Sequence, residues 1–429
     1  MIKNFLRENS VPLLLVVLFN MNLLFYTLRP ITGRLPGWFI VWGIFFMFWA
    51  SAWRNTRGVL TRKDTVIISG WILLLFYSLL MLTHEQNEYM IEAAKIIIKG
   101  TFMYFTGRMI ALNGCKNQNL TKIMAWSSLI ITLIFAIFFR AYVLTGNTEA
   151  VFSRRKDGRL GSYSMAMGYW LLPQLCVTVY LVLNGWLTQI PFMMVLLYGV
   201  LALGSRGPLV CLLGAVVMML SGILDLRSWK SWMLIIFLSV FGGLILLNLP
   251  AILAWMLNAF KGLNLSTRTV SMLISGEFIS RDSGRKNLLR AALKGIDEYW
   301  FTGTGLYRDR QYIVENVVSS HYDGIPLTSS TGSYSHNTLL DFPLQFGIFI
   351  GGFILFYLIK MMLNTYKLCL SNYREHGGSY FFMFVVLISI GLFPIVFSGT
   401  WVDSPNFYLL MGFVIEQLRH KTKIKRSLK

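Results

Sequence analysis

The chain has 429 residues, of which 55% are hydrophobic and only 14% are charged. Soluble domains carry about 25% charged residues, so this composition excludes an ordinary soluble enzyme. Apolar runs of about 20 residues recur along the chain, and each is long enough to cross a hydrocarbon core as a helix. The sequence therefore predicts an all-α polytopic membrane protein. Its net charge of +20 does not by itself indicate a nucleic-acid partner, and none is predicted, because each Lys and Arg must first be assigned to a side of the membrane.

Apolar windows predict twelve membrane-spanning helices. These spans cover residues 11–29, 35–53, 65–83, 89–112, 122–145, 165–184, 187–204, 207–224, 232–256, 338–361, 379–399 and 404–418. Lys3 and Arg7 precede the first apolar run, but no cleavage site of small residues follows it. We therefore interpret this run as an uncleaved first span. Since the number of spans is even, both termini are expected on the same side of the membrane.

The distribution of Lys and Arg predicts which side that is. If the N-terminus is cytoplasmic, the inner loops and the tail after the last span are rich in basic residues, and most short outer loops are poor in them. This is the asymmetry of the positive-inside rule. The sequence therefore predicts spans 1–9 within residues 1–256, a large outer loop with an amphipathic helix at 257–337, and spans 10–12 with a basic cytoplasmic tail at 338–429.

Three outer segments break this rule, because basic side chains cluster in them. They are the loop 146–164 with Arg154, Arg155 and Arg159, the turn at Arg206 between spans seven and eight, and the loop 257–337. A long loop can cross the membrane whatever its charge, but cations gathered beside helix ends on one face suggest an anionic ligand. Lipid phosphates and pyrophosphates are ligands of this kind.

One helix is predicted within the large loop. Asp282 or Ser283 can cap a helix that runs to about Asp297, with an apolar stripe on one face and basic residues around it. Such a helix is expected to lie in the membrane interface or to roof the bundle of spans. Gly303 and Gly305 then mark a turn.

Two residues at predicted helix ends could carry chemistry. His336 lies at the mouth of span ten, where an imidazole could accept a proton from an attacking hydroxyl; the alternative is that it caps the span together with Asn337. Arg206 lies in a tight break before Pro208, where a helix N-terminus favours an anion and a guanidinium can hold two phosphate oxygens. The alternative for Arg206 is an arginine that snorkels from a helix end.

Three further cations stand out by position. Arg285, in Ser283-Gly284-Arg285, would by itself be a surface charge on an amphipathic helix. Lys95 and Lys99 lie inside span four, four residues apart on one helix face, and a charge at the bilayer centre costs about 2.5–3.5 kcal/mol. These lysines either form an ion pair with Glu92 or line a cavity.

Short motifs resemble, in their order and spacing, the signature of the O-antigen ligase and polymerase family. They are Gly204-Ser205-Arg206-Gly207, Ser283-Gly284-Arg285, Gly303-Thr304-Gly305 and His336-Asn337-Thr338-Leu339-Leu340, with Gly347 after the last of them. The resemblance covers about residues 150–360 with these motifs, and the rest of the chain only by its number of spans. It implies an architecture like that of C-type glycosyltransferases, with many membrane helices and a large periplasmic loop, in the inner membrane of a Gram-negative bacterium.

The resemblance also implies roles for individual residues. His336 would be the base that activates the acceptor hydroxyl, while Arg206 and Arg285 would hold and neutralise the pyrophosphate of an undecaprenyl-pyrophosphate-linked glycan donor. The other candidates for donor binding or for lining the cavity are Arg154, Arg155, Arg159, Lys95, Lys99 and Asn337.

The chemistry of the residues agrees with these implied roles. Breaking the bond between the anomeric carbon and pyrophosphate develops negative charge on the leaving group, and guanidinium groups stabilise that charge. A single base with in-line attack would invert the anomeric centre. The outer loops hold no acidic cluster, and the four cysteines have neither metal-ligand nor disulfide spacing. A metal-independent reaction without cofactors, and buried thiols, are therefore expected.

More than one function is compatible with these sequence features. The leading hypothesis is a polymerase of O-antigen or capsule repeat units, because Gly347 is followed by Ile348-Phe349-Ile350, whereas ligases often have Gly-x-x-Gly here. An O-antigen ligase that uses the lipid A core as acceptor is the close alternative. A transporter of lipid-linked sugars, with Lys95, Lys99 and Arg140 along its path, belongs to another class. A structural scaffold would not explain the outer arginines. Membrane lipid and a protein that regulates chain length are the other expected partners.

Overall fold

A computed structural model provides the structure of the chain. It describes residues 8–32, 34–56, 64–65, 69–70, 72–73, 86–114, 119–138, 165–202, 206–224, 228–229, 232–233, 236, 240, 243–244, 247–263, 267–275, 285–317, 321–322, 325–326, 334–376, 379–397 and 399–427. Within these residues the fold is almost entirely helical, as the composition predicts.

The helices follow the apolar segments of the sequence. In chain order they are α1 (Ser10–Thr32), α2 (Arg34–Asn55), α3 (Gln86–Met109), α4 (Leu120–Phe138), α5 (Met165–Leu183), α6 (Ile190–Ala202), α7 (Arg206–Ile223), α8 (Leu249–Gly262), α9 (Arg268–Ile274), α10 (Arg285–Glu298), α11 (Arg308–Asn316), α12 (Thr338–His376), α13 (Ser379–Gly391), α14 (Phe393–Phe397) and α15 (Pro405–Ser427). A π-helical turn (Ile110–Gly114) extends α3, and a 3₁₀ turn (Leu187–Gln189) precedes α6. Two short antiparallel strands, β1 (His321–Tyr322) and β2 (Ile325–Pro326), lie between α11 and α12.

Five segments of the described residues are long and apolar enough to cross a membrane. They are Ser10–Leu28, Pro36–Arg54, Leu120–Phe138, Thr338–Glu375 and Ser379–Phe397. Three shorter apolar helices, Gly168–Leu183, Leu187–Leu201 and Gly207–Ile223, accompany them. Each of these eight segments coincides with a predicted span. Span three falls largely outside the described residues, and the predicted spans four, nine and twelve are not among these segments. The number of twelve and the sidedness of the loops therefore stay predictions.

The chain divides into two compact units. Unit 1 comprises Met1–Ala52, Lys116–Arg281 and Phe381–Ser389, and unit 2 comprises Trp53–Cys115, Asp282–Tyr380 and Ile390–Lys429. Each unit is therefore assembled from segments that are distant in sequence. The predicted division into 1–256, 257–337 and 338–429 concerns membrane topology, which these compact units do not test.

Unit 1 is a bundle built around α1, α4, α5 and α6. Its core consists of the buried side chains Leu23, Ile131, Phe135, Leu171, Leu175, Leu196 and Val200. A polar bridge crosses this bundle, in which Asn20 donates to Gln174 at 3.3 Å and Gln174 donates to Ser128 at 2.7 Å. Buried polar side chains bonded in this way join helices within a membrane. Buried free thiols are found at Cys176 and Cys211, as at Cys369 in unit 2, which confirms the expectation for these three cysteines.

In unit 2, α3 and α15 pack closely and in parallel. Cβ atoms added at Gly107 and Gly412 would overlap the backbone carbonyls of Leu409 and Tyr104, respectively. Small residues permit such close approach of membrane helices. A Cβ at Gly100 would contact the Tyr408 ring, and Arg108, further along α3, pairs with Glu416, further along α15. The contacts therefore advance along both helices in the same direction, so the two helices run parallel.

A buried cluster of charges joins these two helices. The Arg108 guanidinium bonds to Asp64 and to Glu416, each at 2.5 Å, and Arg419 bonds to Asp64 at 2.9 Å. The hydroxyl of Tyr104 also donates to Asp64 at 2.9 Å. Arg108, Asp64 and Glu416 are all buried. Charges withdrawn from water in this way are tolerated only when each is paired and hydrogen-bonded.

The helix predicted in the large loop is confirmed as α10, which begins at Arg285 and ends at Glu298. Leu288, Ala291 and Ala292 form its buried face and pack against Ile313 of α11 and Leu344 of α12. This packing places α10 against the first part of α12, where His336 and Asn337 precede the helix.

Candidate functional site

Helix α12 is broken at Gly347, and the break creates a docking place for another segment. Gly347 has φ 74° and ψ 166°, which are not helical values. The carbonyls of the preceding turn consequently lack partners within the helix. The Gly303-Thr304-Gly305 motif supplies hydrogen-bond donors for them: Thr304 N–H donates to Leu344 O at 2.7 Å, and Gly305 N–H donates to Gln345 O at 3.0 Å.

The two glycines at this junction are required by their backbone conformation and by close contact. Gly303 has φ +70°, and a Cβ there would overlap the Gln345 carbonyl and lie 2.5 Å from Gly347 N. A Cβ at Gly347 would overlap the Phe301 carbonyl. Only glycine adopts positive φ without a steric penalty. The predicted turn at Gly303 and Gly305 is therefore confirmed, and it locks onto the break in α12.

A chain of buried polar side chains runs beneath this junction. Gln345 Nε2 donates to Asp309 Oδ2 at 2.8 Å, and Trp401 Nε1 donates to Gln345 Oε1 at 3.1 Å. The chain ties three segments together: the start of α11, the first part of α12 and the connection before α15. Burial raises the pKa of the Asp309 carboxyl above its ordinary value, although the adjacent Arg310 favours the ionised form.

Arg310, in α11, contacts both the connection before α15 and the segment that precedes α12. Its guanidinium bonds to Asp403 at 2.6 Å and lies 5.2 Å from the ring centre of Tyr307 and 5.8 Å from that of Tyr334. A planar guanidinium can stack on aromatic rings while it pairs with a carboxylate. The Tyr334 ring in turn lies 4.2 Å from the imidazole of His336, centre to centre. Arg310 is thus linked to His336 through one aromatic ring.

His336 itself is held by backbone geometry. Among the described residues, the only non-glycine residues with positive φ are Tyr307 (67°) and His336 (57°), and both belong to this region. Such conformations persist when the surrounding structure enforces them, and they concentrate at functional sites.

The neighbours of His336 provide that enforcement. Ser335 Oγ lies 2.5 Å from Oδ1 of buried Asp341 and accepts from the N–H of Asn337 at 3.1 Å. Asn337 Oδ1 accepts from the N–H of Leu339 at 2.9 Å, which caps α12. The cap is therefore supplied by Asn337. His336 lies between these two fixed neighbours in the chain and is half-buried.

The structure places the predicted site residues in unit 2 or in unit 1, or does not describe them. His336 and Asn337 lie in unit 2 beside the Gly303-Thr304-Gly305 motif, and Arg285 begins α10 in the same unit. Arg206 begins α7 in unit 1. The side chains of Arg285 and Arg206 are not described, and Arg154, Arg155 and Arg159 lie outside the described residues.

Lys95 and Lys99 lie on α3 in unit 2. Between them, Ile96 belongs to the apolar cluster that contains Phe342, Phe346 and Trp401. Lys99 is exposed, and the side chain of Lys95 is not described. The middle of α3 therefore lies against the apolar side of the α12 junction.

Five residues that build this region are not predicted from the sequence: Asp309, Arg310, Asp341, Trp401 and Asp403. The run Arg308-Asp309-Arg310 directly after the glycine motif was a usable signal, since charges of both signs beside a tight turn often pair. Trp401 and Asp403 gave no local signal because their partners are 56 and 93 residues away in the chain. Among the described residues, no group of His, Cys, Asp and Glu side chains is arranged to hold a metal ion.

Comparison with known proteins agrees with the motifs. No curated protein matches the chain. A family model described as O-antigen ligase matches residues 191–357, a range that begins in α6, ends in α12 and includes Arg206, Arg285 and His336. Residues 191–357 therefore match the O-antigen ligase family, which is the family that the motifs indicate.

Proposed function

We propose that this protein transfers a glycan from a lipid-linked pyrophosphate donor to a hydroxyl acceptor, with His336 as the base. Members of the matched family are glycosyltransferase-like enzymes. The observation that carries the proposal is the placement of His336: its backbone is held at φ 57° directly before α12, and its ring is packed against Tyr334. A base must be fixed within reach of the proton that it removes.

The reaction involves one bond formed and one bond broken at the anomeric carbon. The acceptor oxygen attacks that carbon while its proton passes to the imidazole of His336, and the bond to the pyrophosphate oxygen breaks. The negative charge that develops on the pyrophosphate is stabilised by Arg206 and Arg285 in this proposal, since guanidinium groups bind phosphate oxygens in pairs. In-line attack inverts the anomeric centre.

Two acceptors are compatible with this chemistry. In a repeat-unit polymerase the acceptor is a second lipid-linked repeat, and in a ligase it is a sugar of the lipid A core. The family match, to a family described as O-antigen ligase, is compatible with both, and the spacing after Gly347 favours the polymerase. Deleting the gene separates them: loss of a polymerase leaves a single repeat on the core, whereas loss of a ligase leaves none.

Turnover of a labelled donor by the purified protein in liposomes tests the catalytic proposal. Wild-type protein should release undecaprenyl pyrophosphate when acceptor is present, and His336→Ala should release none above background. His376→Ala is the matched control, because it removes a histidine from the other end of the same helix, and it should retain activity. Arg206→Lys and Arg285→Lys should be strongly impaired, because an ammonium group cannot hold two phosphate oxygens in fixed geometry.

Two results of this assay would contradict the proposal. Full release by His336→Ala would exclude His336 as the base. Movement of intact donor across the liposome membrane without release of pyrophosphate lipid would identify a transporter instead.

A further inference from the structure

Helix α12 changes its surroundings abruptly at Gly347. On the side of its N-terminus, Phe342, Leu344 and Phe346 are buried in the protein. Directly after the break, Ile348, Phe349, Ile350 and Phe353 are exposed by 48%, 62%, 59% and 68%. Large exposed apolar side chains on a helix long and apolar enough to span a membrane are expected to contact lipid.

This change is the one expected at the outer edge of a hydrocarbon core. A helix needs about 20 residues to cross a hydrocarbon core of roughly 30 Å. Counted from Ile348, such a length ends near Lys367, before the polar end of α12 at Arg374, Glu375 and His376. The part of α12 before Gly347, which carries the site, would then lie outside the hydrocarbon. The predicted span ten, residues 338–361, begins before this edge.

An exposed cluster of aromatic rings lies at this edge. The rings of Trp300 and Phe301 are 5.6 Å apart, and both contact Phe349 at 5.9 and 6.1 Å. Trp300 and Phe301 are 52% and 63% exposed. The cluster is firmly joined to α12, because Ile348 N–H donates to Trp300 O at 2.7 Å. Aromatic rings are enriched at the boundary between headgroups and acyl chains.

Helix α10, which leads into the cluster, has the surface of an interfacial helix. Besides its buried face, it exposes Leu289 and Leu293 together with the cations Arg290 and Lys294. Apolar side chains beside Lys and Arg are typical of helices that lie at a membrane surface and contact lipid phosphates.

We infer that Trp300, Phe301 and Phe349 form a lipid-binding anchor that fixes the active region at the outer headgroup boundary. The partner is phospholipid of the outer leaflet, with acyl chains against the rings and headgroups against α10. The inference deepens the proposed function, on which its catalytic consequence rests: the pyrophosphate of a lipid-linked donor lies at headgroup depth, and the anchor holds His336 at that level.

Spin-label depth measurements in liposomes test the anchor independently of catalysis. Thr302→Cys places a label beside the intact cluster, Glu315→Cys places one at an exposed residue of the polar helix α11, and Phe353→Cys places one in the lipid-facing part of α12; Cys115 is replaced by Ser in all three. Labels at 315, 302 and 353 should lie in water, at the boundary and in hydrocarbon, respectively, by their relative access to oxygen and to a water-soluble nickel complex. Replacing Trp300 and Phe301 together by Ser should move the label at 302 into water.

Two results of this experiment would overturn the inference. A label at 302 as accessible to nickel as the label at 315 means that the cluster does not contact the bilayer. A label at 302 as deep as the label at 353 means that the hydrocarbon edge does not lie at Gly347.

Donor turnover tests the consequence for catalysis. In liposomes the Trp300→Ser, Phe301→Ser variant should show a several-fold higher KM for the lipid-linked donor with kcat nearly unchanged, and in detergent its KM should match that of the wild type. Phe353→Ser, which removes an equally exposed ring outside the cluster, is the control and should leave KM unchanged. An unchanged KM for the double variant in liposomes would show that the anchor does not position the site. Failure of His336→Ala to lose activity would contradict the proposed function while leaving the depth result intact.

Discussion

The junction between the glycine motif and the break in α12 can be tested with one methyl group. Gly303→Ala adds a Cβ that would overlap the Gln345 carbonyl and lie 2.5 Å from Gly347 N, at a residue whose φ is +70°. Both obstructing groups are backbone and cannot rotate away. The segment 303–305 must therefore separate from α12.

The expected cost follows from the contacts that would be lost. Alanine at positive φ costs about 1–2 kcal/mol. Separation breaks the bonds from Thr304 N–H to Leu344 O and from Gly305 N–H to Gln345 O, and each hydrogen bond contributes about 0.5–1.5 kcal/mol, with more lost when a buried carbonyl stays unpaired. We expect Gly303→Ala to lower the free energy of unfolding by about 3–5 kcal/mol and to abolish glycan transfer.

Thermal unfolding of the purified protein in detergent measures this effect, with Gly352→Ala as the matched control. Gly352 lies on the same helix, and a Cβ there meets nothing within 4 Å, so its replacement should raise stability by about 0.5–1 kcal/mol. If Gly303→Ala unfolded at the same temperature as Gly352→Ala and remained active, the described docking of residues 303–305 would be wrong.

Three further substitutions test other parts of unit 2. Arg108→Met leaves two buried carboxylates with one cation fewer and should cost about 3–5 kcal/mol in unfolding free energy, whereas Arg419→Met, at the partly exposed edge of the cluster, should cost clearly less in the same thermal assay. Gly412→Ala should cost about 1–3 kcal/mol by forcing apart α3 and α15, measured in the same way. Arg310→Lys keeps its charge for the carboxylate partner but loses the guanidinium contact with the Tyr334 ring, so kcat in the donor assay should fall about 2- to 13-fold, as expected for about 0.5–1.5 kcal/mol; an unchanged kcat would show that this contact does not position His336.

Local patterns predicted much of the fold. The apolar stripe and the capping residues after Arg281 predicted a helix that ends at about Asp297, and α10 ends at Glu298. The glycine motif predicted a turn, and Gly303 and Gly305 both have positive φ. These predictions succeed because helix periodicity and backbone freedom depend on residues a few positions apart.

Long-range pairing could not be predicted in the same way. The sequence predicts span ten as one uninterrupted apolar window, whereas α12 breaks at Gly347 and the N–H groups of Thr304 and Gly305 donate to the carbonyls released there. The Arg310–Asp403 pair joins residues 93 positions apart, and nothing near either residue specifies the other. The site likewise combines predicted residues, His336 and Asn337, with unpredicted ones whose roles depend on the folded arrangement.

The pH dependence of donor turnover tests most directly whether His336 is the base. For the wild type, kcat/KM should fall on the acid side, because a protonated imidazole cannot accept the proton of the acceptor hydroxyl. The residual kcat/KM of His336→Ala should be far lower and should lack that acid limb. A variant that kept both the wild-type rate and the acid limb would contradict the account.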